Sequence, residues 1–584
     1  MQIFLHYLKK YWKLCVLTLV LASINQIFSL LDPYIFRYVI DRYATKPELY
    51  TKPEFFHGVG LLLLAIIGVA FVSRVAKNFQ DYYLNGVSQR VGADLYRDGV
   101  AHTLSLPYSI FEDERSGETL GKLQKVRGDT EKLIAGLVNV LFVSLVGFTF
   151  VAIYAANIYW PISLIFLSTI PIIGGLSFIL SIKIKNIQKV IVAQMTALAG
   201  STTESLRNIE LVKALGLGGQ EIERLNTTTD KILKLELKKL RYLRSLSFVQ
   251  GTAINFIRTS ILFFMLYLIF AKIITFGEFF SLFIYSFFVF GPLQELGNLV
   301  GTYREAEASL VNFKKLMDTP KELVVTEGKP IGKVQKLLFK NVSFGYKEAK
   351  ERALEGISYE VSSGSTIAFV GPSGSGKTSL VKLLVGLYTP TGGNIFYNGV
   401  FFESINKEEI RKQIGFVTQD TQLFAGTIRE NLLFVSPKAT DPECLKALNK
   451  AQCQDLLARG GLGLDTLIGE GGVKTSGGEK QRLSIARALL RKPNILIFDE
   501  ATSSLDSLTE EEINKTIKNV SKFGSHITIL IAHRLSTVMH ADAIYVLEKG
   551  KIIEKGSHST LLDTKGLYSA MWRQQIGERS KEDK

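Results

Sequence analysis

The sequence predicts a multidomain membrane protein, in which an all-α domain of six transmembrane helices is followed by an α/β domain. Hydrophobic residues make up 47% of the 584 residues and charged residues 21%, and the mean hydropathy is +0.19. This mixture indicates that one part lies in lipid and another in water. The composition changes near residue 320, where long runs rich in Phe, Leu and Ile give way to short apolar stretches between Gly-rich turns.

Long apolar stretches account for the six predicted helices. A helix needs about 20 apolar residues to cross the hydrocarbon core of a bilayer. The stretches that meet this length lie near residues 14–40, 57–85, 133–157, 161–185, 246–271 and 276–300. A short segment before Pro161 separates the third from the fourth and predicts a tight hairpin. The first is too long for the apolar part of a secretion signal, so it is expected to remain as a spanning helix.

Positive charge predicts the orientation of these helices. The net charge is +15, and Lys and Arg are concentrated in two long loops, between the second and third helices and between the fourth and fifth. Positively charged loops stay on the cytoplasmic side. Both long loops, both chain ends and the α/β domain are therefore expected in the cytoplasm, with the protein integral to the plasma (inner) membrane. Basic residues beside apolar segments also explain the charge better than nucleic-acid binding does, so no nucleic-acid partner is expected.

The two long loops are predicted to be helical extensions of the spanning helices. Each has a break where a short transverse helix is expected, near residues 107–112 in the first loop and 204–216 in the second. The alternative for both loops is a plain solvated linker.

The fifth apolar stretch carries a polar stripe. At about 100° per residue, its members fall within one quadrant of a helix: Arg244, Ser247, Gly251, Asn255 and Arg258. Arg258 lies inside the apolar run, where a charge facing lipid is costly, so the stripe is predicted to face a central cavity. The alternative is that these groups only form hydrogen bonds between helices. The sixth stretch has similarly spaced polar residues, Gln294, Asn298 and Thr302.

The first functional motif along the α/β domain is a Gly-rich loop. The pattern G-x-x-x-x-G-K-[ST] occupies Gly371, Pro372, Ser373, Gly374, Ser375, Gly376, Lys377 and Thr378, and Ser379 follows. A strand-like run precedes the loop and a helical run follows it, which is the context of a phosphate-binding P-loop. Its N–H groups and the helix N-terminus are suited to bind phosphate oxygens. Lys377 is expected to reach the β- and γ-phosphates, and the Thr378 hydroxyl to bind Mg²⁺.

Two carboxylates follow a second apolar strand. Asn494 is followed by four apolar residues, 495–498, and then by Asp499 and Glu500. Asp499 is placed to hold the Mg²⁺ shell, and Glu500 to act as general base on the attacking water. A merely solvated acidic strand end is disfavoured because the strand itself is apolar.

A second anion-binding helix start is predicted between these two motifs. Ser476, Gly477, Gly478 and Glu479 open a helical run that extends to residue 490. One triphosphate rarely needs two such helix N-termini. The simplest account is that this segment closes on the γ-phosphate held by another copy.

In this order, the motifs resemble those of the ABC exporter family, and the chain resembles a half-transporter with its transmembrane domain first. The resemblance covers nearly the whole chain. It implies that Tyr346 stacks on the adenine, that Gln419 of the Q-loop takes part in hydrolysis and in the Mg²⁺ shell, and that His533 contacts the γ-phosphate. ATP and Mg²⁺ are the implied cofactors.

Further segments match other motifs of that family. Residues 475–479 resemble the signature, residues 503–506 the D-loop, and residues 469–472 the X-loop that touches the membrane domain. The expected transverse helices resemble coupling helices, which sit in grooves of the ATPase domains. The resemblance therefore implies that the ATPase domain is an α/β P-loop NTPase of the ABC type.

The signature departs from the usual family pattern at two positions. It usually opens with Leu and often ends in Gln, whereas this chain has Thr475 and Glu479. In heterodimeric relatives, one chain lacks the catalytic Glu and its mate carries a deviant signature. Glu500 and His533 are intact here, so the partner is expected to be a second half-transporter in a homodimer, with a heterodimer as the alternative.

The resemblance implies ATP-driven export or flipping of a hydrophobic or amphiphilic substrate, such as a lipid, drug or lipid-linked glycan, by alternating access. Membrane lipids are the other expected partners. An ATP-gated channel or regulatory subunit is the alternative, but gating without turnover would not need Glu500 and His533. The membrane half excludes a soluble ATPase acting on nucleic acid, and an importer is disfavoured because its membrane subunits are usually separate chains.

The predicted domain bounds follow from these motifs and from the composition break. The transmembrane domain is expected at residues 1–320, a linker at 321–336, the nucleotide-binding domain at 337–576 and a charged tail at 577–584.

Overall fold

A computed structural model describes residues 2–113, 116–322, 329–347, 349, 351–419, 421–459, 461–469, 472–501, 507–523 and 525–576. Its contacts divide the chain into two compact units. The first contains Met1–Leu106 and Glu114–Lys321, and the second Pro107–Asp113 and Glu322–Lys584. The predicted D-loop at 503–506, residues 470 and 471 of the predicted X-loop, and the predicted tail at 577–584 lie outside the described residues.

Helices make up the described part of the first unit. They are α1 (Gln2–Lys10), α2 (Trp12–Tyr38), α3 (Lys52–Leu104), α5 (Ser116–Gly136), α6 (Val143–Arg207), α7 (Ile209–Ala214), α8 (Gly218–Phe270) and α9 (Phe276–Met317). Turns of π-helix continue α2 over Val39–Ala44 and join α5 to α6 over Leu137–Phe142. The short helix α4 (Tyr108–Asp113) belongs to the second unit.

The prediction of six helical spans is confirmed. Within the described residues, four helical segments are both long and apolar enough to cross a membrane, Trp12–Ala44, Lys52–Leu104, Thr119–Ile172 and Gly218–Phe270, and a shorter apolar helix covers Phe276–Gly291. The backbone of Tyr159, with φ −157° and ψ 107°, interrupts α6 and separates the third span from the fourth at the predicted hairpin. Several side chains of the fourth span lie outside the described residues.

The two long loops are helical. Helices α3 and α8 each contain 53 residues, far more than the about 20 that a bilayer requires. The break expected near residues 107–112 contains α4, and the break expected near 204–216 contains α7.

A polar clamp joins the end of α2 to the start of α9. The Arg37 guanidinium donates to Glu278 Oε1 at 2.6 Å. The Asp41 carboxylate accepts from the Gly277 backbone N–H at 2.8 Å and from the Thr275 hydroxyl at 2.7 Å. Thr275 and Glu278 also form a capping box at the first turn of α9. These bonds satisfy N–H groups that a helix start otherwise leaves without partners.

Twelve strands and ten helices form the described part of the second unit. The strands are β1 (Lys336–Phe344), β2 (Leu354–Ser362), β3 (Thr366–Val370), β4 (Gly392–Tyr397), β5 (Val400–Phe401), β6 (Ile414–Val417), β7 (Gly426–Thr427), β8 (Leu467–Ile468), β9 (Ile495–Asp499), β10 (Ile527–Ile531), β11 (Ala543–Glu548) and β12 (Lys551–Gly556). Besides α4, the helices are α10 (Lys377–Leu384), α11 (Lys407–Lys412), α12 (Ile428–Leu433), α13 (Asp441–Lys450), α14 (Gln454–Arg459), α15 (Gly477–Leu490), α16 (Ser507–Phe523), α17 (His558–Thr564) and α18 (Leu567–Ile576).

A six-stranded sheet forms the centre of this unit. Its order is β12-β11-β3-β10-β9-β6, and β11, β3, β10, β9 and β6 run parallel. All five residues of β3 and of β10 are buried, as expected for parallel strands that are covered on both faces. A second, antiparallel sheet has the order β2-β1-β4-β5.

Described residues of the predicted linker from Glu322 onward pack onto the second unit. Residues 323–328 lie outside the description. Glu322 accepts two hydrogen bonds from Arg411, at 2.7 and 3.1 Å. The side chains of Ile331 and Val334 are buried in the hydrophobic core that contains β1 and β3.

We predict that Gly277→Ala destabilises the membrane unit, because α9 starts too close to α2 to admit a side chain. A Cβ at Gly277 would lie 2.6 Å from the backbone oxygen of Arg37 and 2.7 Å from the Asp41 carboxylate. Overpacking of this kind costs about 1–3 kcal/mol. The control is Gly291→Ala on the same helix, where a Cβ would meet nothing within 4 Å. Thermal melting, with size-exclusion chromatography as the readout, should show a lower melting temperature for Gly277→Ala but not for Gly291→Ala. Equal melting of both variants would contradict the prediction.

Candidate functional site

The Gly-rich loop lies between the end of β3 and the start of α10. Gly376 has φ +102°, and a Cβ there would lie 2.5 Å from the backbone oxygen of Ala353. Only glycine fits this conformation and this close approach. The loop therefore turns sharply enough to direct backbone N–H groups and the N-terminus of α10 to one place, as an anion site requires.

Lys377 lies inside this loop and is 4% exposed. Its ammonium group donates to the carbonyl oxygens of Gly371 at 2.9 Å and Pro372 at 3.0 Å. Burial lowers the pKa of Lys377, while the nearby charges of Glu500 and Asp499 raise it. The loop thus holds a buried cation at its centre. Thr378 follows as the second residue of α10.

The two carboxylates lie at the end of β9. Burial, and then the charge of Glu500, raises the pKa of Asp499 to about 6, although Lys377 acts in the opposite direction. Glu500 adopts φ +48°, a left-handed conformation that is uncommon for residues other than glycine. Its backbone N–H donates to the Ile531 carbonyl at 2.8 Å. The neighbouring strand β10 therefore holds Glu500 in this strained conformation.

His533 contacts Glu500 directly. The distance from His533 Nε2 to Glu500 Oε1 is 2.8 Å. His533 comes two residues after β10, which pairs with β9 so that Ile531 lies opposite Asp499. The structure therefore brings together four residues from three separate motifs: Lys377, Asp499, Glu500 and His533.

Gln419 follows β6, the neighbour of β9 on its other side. The segment around it is tied to α15 by Gln481, which accepts from the Thr421 hydroxyl at 2.6 Å and donates to the Thr418 carbonyl at 3.4 Å. Arg487 of the same helix donates to the Gln422 carbonyl at 2.8 Å. The position of Gln419 thus depends on α15. Gln481 could not be identified from the sequence, because no local pattern distinguishes it from a surface glutamine.

The predicted signature segment caps α15. The Ser476 hydroxyl accepts from the Glu479 N–H at 3.3 Å, and Glu479 Oε2 accepts from the Ser476 N–H at 2.8 Å. Arg459 donates to the same Glu479 oxygen at 2.8 Å. Burial raises the pKa of Glu479, but these hydrogen bonds lower it by a larger amount. The pKa of Glu479 therefore lies below its usual value. The described bonds of the Glu479 carboxylate are therefore directed back toward its own helix and Arg459.

Tyr346 lies two residues after β1, beside α10. Its hydroxyl is 3.1 Å from Ser379 Oγ, and its ring packs edge-on against Phe344 and Tyr388. Because Ser379 is on the helix that begins at the P-loop, this contact fixes Tyr346 close to the phosphate-binding segment.

Comparisons with known proteins agree with this arrangement. Residues 15–293 match the family model of the ABC transporter transmembrane region, and residues 354–503 match that of the ABC transporter. A multidrug resistance ABC transporter ATP-binding and permease protein of Lactococcus lactis subsp. lactis (strain IL1403) is 31% identical over 530 residues, which cover 90% of this chain and 88% of the relative.

Two further relatives resemble the chain over most of its length. An ATP-dependent lipid A-core flippase of Francisella tularensis subsp. tularensis (strain SCHU S4 / Schu 4) is 30% identical, with 88% of this chain and 84% of the flippase covered. The solved structure of a bacterial Atm1-family ABC exporter with ATP bound is 27% identical and has a TM-score of 0.85, with 97% of this chain and 99% of that chain covered. The chain therefore belongs to the ABC transporter family, as a half-transporter of the exporter type that couples an ATPase domain to a transmembrane region.

Proposed function

We propose that two copies of this chain export or flip a hydrophobic or amphiphilic substrate across the membrane by alternating access, driven by ATP binding and hydrolysis. The observation that carries this proposal is the grouping of Lys377, Asp499, Glu500 and His533 at one edge of the parallel sheet. The charge of the long loops supports a cytoplasmic location for these loops, both chain ends and the ATPase domain. A catalytic set this complete favours turnover over a channel that is only gated by ATP.

Three oxygen donors in the ATPase domain suit a magnesium ion. We assign the Thr378 hydroxyl, the Gln419 side-chain oxygen and the Asp499 carboxylate to its shell, because Mg²⁺ prefers hard oxygen ligands. Burial and the charge of Glu500 raise the pKa of Asp499 by more than Lys377 and Lys382 lower it, and a nearby divalent cation would offset this effect, which supports the assignment. When bound, the ion would neutralise charge that develops on the phosphates.

Glu500 is the residue that we assign as general base. Its carboxylate is 10% exposed, and its strained backbone holds it next to Asp499. His533 fixes the orientation of the carboxylate through the 2.8 Å contact, and we assign it a contact with the γ-phosphate as well. Tyr346 is assigned to the adenine, and the loop from Gly371 to Ser379 to the phosphates.

The first test of this site replaces the base by its isostere. We predict that Glu500→Gln retains ATP binding but lowers the rate of hydrolysis by a factor of about 10²–10⁴, the usual contribution of general base catalysis. Steady-state phosphate release measures turnover, and equilibrium binding of labelled ATP measures affinity. Lys377→Ala is the comparison, because loss of its phosphate contact should weaken binding itself. Near-normal phosphate release from Glu500→Gln would refute the assignment of Glu500.

A second copy is expected to complete each ATP site. The start of α15, with Ser476, Gly477 and Gly478, offers a further anion-binding N-terminus. We propose that it closes on the γ-phosphate held by the partner's P-loop, in a homodimer with two equivalent sites. A heterodimer remains the alternative because of Thr475.

Cysteine crosslinking distinguishes contacts between chains from contacts within one chain. One tagged chain carries Ser373→Cys and a differently tagged chain carries Ser476→Cys, so that a disulfide between these two sites joins two chains. We expect oxidation with bound ATP to yield the mixed dimer, and the unmodified chain alone to hydrolyse ATP. The native Cys444 and Cys453 are buried, and Cys15→Ser removes the third thiol. ATPase activity that appeared only with a different half-transporter would favour the heterodimer.

Helix α8 has three distinct faces. Buried residues such as Ile254, Ile261 and Met265 pack within the unit. A second face is apolar and strongly exposed: Phe256, Phe263 and Phe270 are 75%, 76% and 85% exposed. At 100° per residue, the polar stripe of Arg244, Ser247, Gly251, Asn255 and Arg258 lies between these two faces. A position between the packed face and the apolar face is the one that a residue lining a central cavity would occupy.

Arg258 supports a cationic wall along this cavity. Its guanidinium donates to Asn255 Oδ1 at 3.1 Å and lies 4.9 Å from the centre of the Phe287 ring on α9. These neutral partners leave its positive charge available to a ligand. We therefore propose a substrate with an apolar body and an anionic head group. On the sixth span, the side chains of Gln294 and Asn298 lie outside the described residues.

We predict that Arg258→Ala loses the stimulation of ATPase activity by anionic amphiphiles but retains basal activity and thermal stability. The measurement is ATPase activity in nanodiscs with a panel of anionic, zwitterionic and neutral lipids and amphiphiles. The control is Arg224→Ala, 34 residues earlier on the same helix and thus about 50 Å away along its axis. If Arg258→Ala lowers basal activity and melting temperature together, Arg258 is structural and the anionic-substrate proposal is wrong.

A further inference from the structure

The loop that carries His533 is held by α18, the last described helix of the chain. Gln575 of this helix donates to the His533 carbonyl at 2.5 Å, and its side-chain oxygen accepts from the Leu535 N–H at 2.8 Å. No backbone group of the described residues bonds either of these two loop groups. The side-chain amide of Gln575 therefore replaces the backbone partners that a strand or helix would supply.

These two hydrogen bonds require an amide at position 575. A carbonyl oxygen only accepts a hydrogen bond and a backbone N–H only donates one, so their common partner must offer a donor and an acceptor side by side. Glutamine offers both at the end of its side chain. An ionised glutamate has only acceptors, so its second oxygen would face the His533 carbonyl and repel it.

Helix α18 presents Gln575 from a fixed position. The Glu554 carboxylate accepts from the first two N–H groups of the helix, at 2.5 and 3.2 Å, and Tyr568 is fully buried. Gln575 follows Tyr568 by seven residues, which is about two turns, so both lie on one face of the helix. Met571 and Trp572 lie on the same side and pack against the hydrophobic core. Packing of the whole helix therefore determines where the Gln575 amide lies.

The neighbouring residues of the loop are held as well. The Ala532 N–H donates to the Phe369 carbonyl at 3.3 Å, and the Glu510 carboxylate of α16 accepts from Arg534 and Ser536. Within the described residues, Gln575 is the group that bonds the backbone of His533 itself. The imidazole of His533, which lies 2.8 Å from Glu500 Oε1, is thus aligned by a backbone that Gln575 restrains.

We infer that Gln575 is a positioning residue for ATP hydrolysis, which holds the His533 backbone so that the imidazole keeps its place beside Glu500. Its role rests on the proposed ATP site, where Glu500 is the general base and His533 contacts the γ-phosphate. A displacement of about 1 Å at a catalytic group can lower a rate about 100-fold. ATP binding depends instead on the P-loop and Lys377, so loss of Gln575 affects turnover and leaves affinity intact.

The experiment compares two adjacent glutamines. Full-length wild type, Gln575→Met and Gln574→Met are assayed in nanodiscs for steady-state phosphate release and for equilibrium binding of labelled ATP. Methionine keeps the length of the side chain but supplies neither hydrogen bond. We expect Gln575→Met to lower kcat about 10- to 100-fold and to leave ATP affinity unchanged. Gln574→Met should match wild type in both, because position 574 lies about 100° away around the helix axis.

A double-mutant cycle tests whether Gln575 acts through His533. Single-turnover hydrolysis of radiolabelled ATP, with protein in excess, resolves the slow rate of His533→Ala. Two residues that act through one contact are not additive, so Gln575→Met should lower the rate of His533→Ala far less than it lowers that of wild type. Hydrogen exchange gives a direct readout, because the Leu535 amide should exchange faster in Gln575→Met than in wild type or Gln574→Met.

Gln575→Glu provides an independent variant. It keeps an acceptor for the Leu535 N–H but loses the donor to the His533 carbonyl, so its kcat should also fall with ATP affinity unchanged. This variant decides the question if Gln575→Met fails to fold.

Three results would overturn the inference. A kcat equal to that of wild type in Gln575→Met would show that His533 does not need these bonds. A full further loss of rate in the His533→Ala background would show that Gln575 acts elsewhere. Parallel loss of ATP affinity and melting temperature would show a merely structural role. Wild-type protein without ATPase activity, or full activity of His533→Ala, would instead refute the proposed site before Gln575 is changed.

Discussion

Parallel pairing of β3, β10, β9 and β6 is the constraint on which the ATPase half depends. Each of these strands ends at the same edge of the sheet, and a site residue follows each one within two positions: Gly371, His533, Glu500 and Gln419. Because parallel strands need long crossovers, these residues lie far apart in sequence. Only the strand register brings His533 to within 2.8 Å of Glu500. Loss of that register would disperse the site even if every motif were intact.

This edge also concentrates charge where little water reaches it. A buried ion is costly unless it is paired or hydrogen-bonded. The Lys377 ammonium group is stabilised by hydrogen bonds to carbonyl oxygens of the loop. The Glu500 carboxylate is stabilised by its contact with His533. Burial and the charge of Glu500 raise the pKa of Asp499, although Lys377 and Lys382 act in the opposite direction. A bound cation would offset the charge of the two carboxylates at this edge.

Local patterns in the sequence predict much of the fold and identify the residues that meet at the candidate site. Apolar length predicted the six spans, and the G-x-x-x-x-G-K-[ST] pattern predicted a strand, a loop and a helix in the order found. Contacts between distant residues were not predictable in this way. Gln575 and the His533 carbonyl are separated by 42 positions, and nothing near Gln575 distinguishes it from a surface residue. The close approach at Gly277 depends similarly on the packing of α2 against α9.

The unusual end of the signature bears on whether this chain can complete an ATP site. A carboxylate at Glu479, where relatives often have an amide, would repel a phosphate if it pointed at one. In the structure the carboxylate is 7% exposed and bonded to the Ser476 N–H and to Arg459. Its charge is thus compensated inside its own domain. The substitution therefore leaves the N-terminus of α15 suited to an anion, which favours a signature competent for catalysis and, with Glu500 and His533 on the same chain, the homodimer.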